Sequence, residues 1–198
     1  DLHDDVGATL SSMHIYGDLA NTVWDTQPQQ SKDMVGKISL QSKELMNRMS
    51  DIVWSLKPSD EEKNSFTGRL RNYTHDLLTA KNIAAVFAID EALVVKITNP
   101  LARKNILLIA KEAINNIAKY SQATEAIITF KQQEQNVILT ISDNGKGFNK
   151  SLENNGNGLG NIEQRCKQLS GHCTIETSEA KGVLITCQFP IAIISHTG

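Results

Sequence analysis

Two apolar seams at coiled-coil spacing occupy the chain before residue 58 and set the first limit on its fold. Met34, Ile38, Leu45, Met49, Ile52 and Leu56 step by 4, 7, 4, 3 and 4 residues, the rhythm of a helix that buries one narrow stripe. Leu2, Val6, Leu10, Met13, Gly17, Ala20 and Trp24 do much the same in the preceding segment. Between them Asp25-Thr26-Gln27-Pro28-Gln29-Gln30-Ser31 is turn-like, and its proline disfavours helix at the residue before it. The expected unit is a helical hairpin of about 55 residues, which has too few neighbours to cover two seams, whereas two copies packed as a four-helix bundle bury both. A homodimer is therefore expected.

Pro58 ends the second helix, and Ser59-Asp60-Glu61-Glu62-Lys63-Asn64-Ser65 reads as a polar linker. The reading divides the chain into domains 1–58 and 59–198. Beyond the linker the pattern is mixed α/β, which makes the whole chain α+β. The spacing predicts a helix from about Phe66 to Leu78 and a strand over Ala84–Ile89. Asn99-Pro100 supplies an N-cap and a first-turn proline for a long helix running to about Tyr120. Strands are expected at Ala126–Lys131 and Val137–Ser142 with Gln132–Gln135 as the hairpin turn, then at Thr174–Ser178 and Val183–Phe189. A glycine- and asparagine-rich stretch from Asn144 to Gly160 leads into a helix ending near Leu169.

Composition removes several classes. Twenty Lys and Arg against 22 Asp and Glu leave a net charge of −2, so no basic field exists to hold a nucleic-acid backbone. The apolar runs fall far short of the roughly 20 residues of a membrane span, so no membrane contact is expected of this stretch. The three cysteines are odd in number, widely spaced and without a C-x-x-C pair. They read as reduced core residues and point to the cytosol. Helix-like sequence begins at residue 1 without an initiator Met or a charged-then-apolar leader, which suggests a piece of a longer protein.

Candidate chemistry falls in four places. On the long helix Asn105, Glu112, Asn116 and Lys119 are separated by 7, 4 and 3 residues and share one stripe. An acid, a neutral oxygen donor and a lysine on one line suit a water, a magnesium ion and phosphate oxygens, although most polar stripes are solvated faces. In the strand Val137–Ser142, Val137, Leu139 and Ile141 share a face and Asp143 continues their parity. A carboxylate ending an apolar row could accept from an exocyclic amine, or could simply open the Asp-Asn-Gly turn. Gly145 and Gly147 permit close ligand approach. Gly156, Gly158 and Gly160 precede or open a helix whose N–H groups could meet phosphate, and the long polar stretch before them has the character of either a lid or a plain loop. His3-Asp4 stands near the start of the first helix, where an adjacent carboxylate can sit beside an imidazole.

Taken in order, Leu2-His3-Asp4-Asp5-Val6-Gly7-Ala8-Thr9-Leu10, Glu112-Ala-Ile-Asn-Asn116-Ile-Ala-Lys119-Tyr120-Ser121, Asp143-Asn-Gly145-Lys-Gly147-Phe148 and Gly156-Asn-Gly158-Leu-Gly160-Asn161 resemble the H, N, G1 and G2 boxes of two-component sensor histidine kinases. The likeness spans nearly the whole chain. It is greatest to the subfamily with a His-Asp phosphoacceptor motif, the nitrate-sensor and desaturase-regulator type, and Asp51-Ile-Val-Trp-Ser-Leu-Lys-Pro58 looks similar too.

The resemblance implies a dimerisation and phosphotransfer hairpin followed by an ATP-binding α/β sandwich of the GHKL superfamily, with helices on one face of a mixed sheet. It implies autophosphorylation from ATP with Mg²⁺ and transfer of the phosphoryl group to an aspartate on a response-regulator receiver domain. By match of motif, His3 would be the phosphoacceptor and Asp4 would orient its ring and help remove the proton. Asn116 would hold Mg²⁺, Glu112 would support the ion's waters or the attacking group, and Lys119 would contact phosphate. Asp143 would read the adenine amino group beside Gly145 and Gly147, and Gly156, Gly158 and Gly160 would close the lid. The implied location is cytoplasmic, within a parent that an inner-membrane sensor would fit.

Three positions depart from the pattern. Ala8 stands where many relatives carry Gln or His, which argues against receiver dephosphorylation by that route; Tyr120 replaces a common His, and Val183 follows Gly182 where Thr is frequent. Two other functions stay open on the residues: a GHKL ATPase or serine/threonine kinase using Glu112 and Asn116 without His3, and a dimeric scaffold that binds nucleotide only to set its shape.

Overall fold

The computed structural model describes residues 2–56, 65–149 and 157–195; of residues 2–5, 44, 47, 48, 52, 55, 56 and 157 it describes the backbone alone. Of the expected linker 59–65, residues 59–64 lie outside them, and Ser65 is described. The chain divides into two compact units, Asp1–Trp54 and Ser55–Gly198.

The first unit is a hairpin of helix α1 (Leu2–Val23) and helix α2 (Pro28–Leu56). The connection is shorter than the sequence suggests. Pro28 does not lie in the turn but opens α2, where its missing N–H falls at a position that has no intrahelical partner anyway. The hairpin is tied at its closed end by the buried Ser31, whose Oγ donates to Ala20 O at 2.9 Å, and by Gln27 N–H to Val23 O at 2.8 Å. Ala20, Leu45 and Trp54 are buried, while Leu10, Ile15 and Leu19 on α1, Trp24 just after it, and Leu40, Met46, Met49 and Val53 on α2 remain exposed. So much apolar surface on one small hairpin is unusual for an isolated unit.

The second unit is a five-stranded mixed sheet with helices on one face. The strands are β1 (Ala84–Ile89), β2 (Glu125–Gln133), β3 (Asn136–Asp143), β4 (His172–Thr177) and β5 (Val183–Pro190), in the order β1-β2-β3-β5-β4. β1 and β2 run parallel and the remaining pairs antiparallel. The β2–β3 turn is confined to Glu134-Gln135, tighter than the four residues expected, because β2 continues pairing to Gln133 opposite Asn136.

Helix α3 (Phe66–Thr79) begins at Ser65, whose side chain accepts from Gly68 N–H at 3.0 Å. Helix α5 (Pro100–Asn116) begins as the Asn99-Pro100 pair requires, with Asn99 Oδ1 accepting from Leu101 N at 2.9 Å and Ala102 N at 3.3 Å. Such a cap contributes about 1 kcal/mol. A five-residue helix α4 (Glu91–Val95), capped by Asp90, adds to the expected elements; it is too short for apolar periodicity to register in the sequence. Helix α6 (Asn157–Gln168) completes the layer.

The core lies between sheet and helices. Leu70 and Leu78 of α3, Ile106, Leu107, Ile109 and Ile114 of α5 and Ile162 of α6 are fully covered. They meet Ile128 and Phe130 of β2, Leu139 of β3 and Phe189 of β5 on the inner face, also fully or almost fully covered. Each large side chain so buried contributes about 1.5–3 kcal/mol. No described helix is long and apolar enough to cross a membrane.

Candidate functional site

The site grows from the end of α5. The expected α-helix to Tyr120 stops at Asn116, and Ile117–Ser121 forms a single π-helical turn that ends at Gln122 in the left-handed conformation. Such turns widen a helix by one residue and recur at ligand sites. Here the buried Ser121 holds it: Ser121 Oγ donates to Ile117 O at 2.7 Å and accepts from Ala123 N at 3.0 Å. The Ser121 carbonyl then accepts from Lys146 N at 2.8 Å. The end of α5 is thereby fastened to the loop that follows β3.

That loop begins with Asp143. The alternation of β3 is as the sequence predicts: Val137, Leu139, Ile141 and Asp143 are all buried on one face. Asp143 is only 9 % exposed. Burial pushes its carboxyl above the usual carboxylate value, while the backbone N–H groups of Gly145 and Val183 pull it back down. The Gly145 bond is 2.8 Å long. Gly145 packs so tightly on the Ser121 carbonyl that a Cβ there would overlap it, and Gly147 adopts φ +59° against Ser178 O, a place no side chain fits.

These elements enclose a cavity of about 340 Å³, at the lower end of the ~300–1,000 Å³ usual for small-ligand sites. Glu112, Asn116 and Lys119 from the α5 end and Asp143 from β3 all line it. Ile141, Val183 and Ile185 contribute apolar wall. Gly158, in the first turn of α6, sits so close to α5 that a Cβ would collide with Glu112 Oε1 and come within 3.4 Å of Asn116 Nδ2. Gly147 and Gly158 line the cavity, whereas Gly160 is exposed with open space where a Cβ would be. Gly156 lies outside the described residues.

One expectation is corrected. Asn105 shares the α5 stripe in sequence but not the cavity: it is buried under α6, and its Oδ1 accepts from Arg165 Nη1 at 3.3 Å. Seven residues are about 10 Å of helix, enough to carry it from the ligand end into an interhelical contact. Sequence reasoning also missed Ser121 and Lys146, which line the cavity. Only the spacing of Ser121 four residues after Ile117 hinted at the bond it makes. His3 and Asp4 lie in the first turn of α1, in the other unit, with backbone alone described.

The donor set fits a magnesium nucleotide. A carboxylate in an apolar end suits an amine-bearing ring, and an amide, a carboxylate and an ammonium group on one helix end suit a metal and phosphate oxygens. A family model described as histidine kinase matches residues 1–61, and one described as histidine kinase-, DNA gyrase B-, and HSP90-like ATPase matches residues 102–193. The chain is 29 % identical over 191 residues to the sensor histidine kinase YvfT of Bacillus subtilis, covering 96 % of this chain and 48 % of that protein. It is 28 % identical over 193 residues to the sensor histidine kinase DesK of the same organism, covering 96 % and 49 %. Against the nitrate/nitrite sensor protein NarX of Escherichia coli K12 the figures are 24 % over 194 residues, 96 % and 31 %.

Among solved structures, the blue-light activated histidine kinase of Erythrobacter litoralis shares the fold with a TM-score of 0.63 at 13 % identity, over 97 % of this chain and 60 % of that one. The histidine kinase AdeS of Acinetobacter baumannii does so at 0.57 and 14 %, over 96 % and 95 %. The chain carries a histidine kinase domain over residues 1–61 and a histidine kinase-, DNA gyrase B-, and HSP90-like ATPase domain over residues 102–193, the two domains of a histidine kinase core. Its relatives across both domains include the sensor histidine kinases YvfT and DesK and the nitrate/nitrite sensor NarX. It spans about half the length of YvfT and DesK and about a third of NarX.

Proposed function

We propose that this chain autophosphorylates His3 from ATP and passes the phosphoryl group to an aspartate of a response-regulator receiver domain. The observation that carries the reading is the grouping of Asp143, Glu112, Asn116 and Lys119 around one cavity of about 340 Å³. Asp143 accepts from the adenine amino group, with Ile141 and Ile185 against the ring, Gly145 donating its N–H to the Asp143 carboxylate and Gly147 lining the same cavity. Lys119 and the N–H groups at the start of α6, with Gly156, Gly158 and Gly160, neutralise phosphate charge that a net-acidic chain would otherwise repel. Asn116, with Glu112 beside it, would hold Mg²⁺, which when bound screens the phosphates.

In this reading the neutral His3 imidazole attacks the γ-phosphorus, one N–P bond forms, the bridging O–P bond breaks and ADP leaves. Asp4 accepts from the other ring nitrogen and draws off the proton. Ala8 offers no side chain to orient a water, so dephosphorylation of the receiver does not proceed through that position.

We further propose that residues 1–58 act as the dimerisation and phosphotransfer domain and 59–198 as the catalytic domain. The exposed apolar side chains of α1 and α2 support a homodimeric four-helix bundle. This core works in the cytoplasm, where ATP and receiver domains are available. The test is incubation with γ-labelled ATP and Mg²⁺: label should be acid-labile and base-stable, and His3→Gln should abolish it. Steady phosphate release unaffected by His3→Gln would instead mark an ATPase, and ATP binding without transfer a scaffold.

A further inference from the structure

The three cysteines, scattered in sequence, meet in the fold away from the cavity described above. Cys173 of β4 and Cys187 of β5 are direct partners across the antiparallel ladder, and their Sγ atoms are 3.6 Å apart. Directly opposed residues in such a ladder have Cα atoms about 4.5–5.5 Å apart, inside the roughly 4.4–6.8 Å that a disulfide spans. Both side chains stand on the same face of the sheet by the alternation of the strands. Closing the bond needs the sulfurs to approach, not the backbone to move.

The two thiols differ in access. Cys187 is fully buried, whereas Cys173 is half-buried on β4, the edge strand of the sheet. Contact with the Cys166 thiol of α6, then with Cys173, and then burial push the Cys187 thiol far above its ordinary value. Oxidant therefore meets Cys173 first.

We propose that Cys173 and Cys187 form an oxidative modification site, a disulfide made on exposure to a hydroperoxide. The peroxide oxygen transfers to Cys173 Sγ, giving a sulfenic acid and releasing water or an alcohol. Cys187 Sγ then attacks Cys173 Sγ, the S–O bond breaks, and the Cys187 proton leaves with the hydroxyl as a second water. Two electrons pass from the thiol pair to the peroxide. The bond staples the edge strand to β5, whose Val183 N–H holds Asp143 and whose Ile185 lines the nucleotide cavity. Oxidation thus stiffens the hairpin that borders the site without adding a group to it.

The experiment treats the purified chain with hydrogen peroxide, alkylates remaining thiols and maps peptides without reduction. A Cys173–Cys187 linked peptide, loss of two of the three thiols and an unfolding temperature of the α/β unit raised by about 5–10 °C are expected, all reversed by dithiothreitol. Cys166→Ser should keep the link, and Cys173→Ser, at a half-buried position that tolerates change better than Cys187, should lose it. Sulfinic acid at Cys173 with Cys187 still alkylated, a Cys166–Cys187 link, or a bond between two chains would each overturn the proposal.

Discussion

The Asp143 carboxylate is held by its own loop: the Gly145 N–H donates to Asp143 Oδ1 at 2.8 Å, so the side chain is aimed before any ligand arrives. A charged group kept in a mostly apolar end is costly unless partners satisfy it, and two backbone N–H groups partly do so. The remaining lone pairs are what a ligand amine would use.

Asp143→Asn keeps the shape but loses the charge, and presents a donor where an acceptor is wanted. ATP affinity should fall at least tenfold, read by calorimetric titration. Because the folded carboxyl titrates above its usual 3.8, wild-type affinity should begin to fall at a higher pH on acidification than an ordinary aspartate would cause. The stability sign is opposite: a raised acid favours the fold below its unfolded value, and that contribution is lost as pH rises through the folded value. Equal affinity in the two proteins, or identical pH profiles, would count against the assignment.

At Gly158 an added methyl meets the end of the flexible Glu112 side chain and not backbone. Gly158→Ala should therefore fold normally but swing Glu112 away from Asn116. Autophosphorylation should slow about tenfold, an energy of about 1.4 kcal/mol in the barrier, with the unfolding temperature nearly unchanged. A large drop in stability with normal specific activity would show that the contact is structural.

Ser121→Ala removes the two bonds that hold the π-helical turn and leaves the Ala123 N–H, which is buried, without its partner. The expected cost is about 1–3 kcal/mol in denaturant unfolding, together with weaker nucleotide binding, since Lys146 is anchored to the same residue. A change below about 0.5 kcal/mol would mean that water replaces the hydroxyl.

Leu19 and Met49 are exposed in the single hairpin, at 44 % and 50 %, so changing them to Asp disturbs its own packing less than changing a buried residue would. If two copies pack along these faces, Leu19→Asp with Met49→Asp should give a monomer by sedimentation while helicity by circular dichroism is kept. A dimer that survives the pair of substitutions would put the interface elsewhere.

How far the sequence reveals this architecture depends on whether a feature is local. Asn99-Pro100 announces the start of α5 because the cap is made by residues two and three positions away. Asp143 declares its burial through strict alternation with Ile141 and Leu139. The π-helical turn is not legible, since it depends on the Ser121 carbonyl meeting Lys146, 25 positions further on. Asn105 misleads for the same reason: its helical stripe is real, but what covers it is Arg165 from α6, 60 residues away. Periodicity tells which face a residue occupies and says nothing of what arrives there.

The central claim, that a nucleotide held by Asp143 and Asn116 gives its terminal phosphoryl group to the imidazole at residue 3, is tested most directly by locating the phosphate. The chain would be incubated with ATP and magnesium, digested at neutral pH and sequenced by mass spectrometry. The account predicts one phosphoryl group on His3, absent in Asn116→Ala. Phosphate on a serine or threonine, or on another histidine with His3 unmodified, would contradict it.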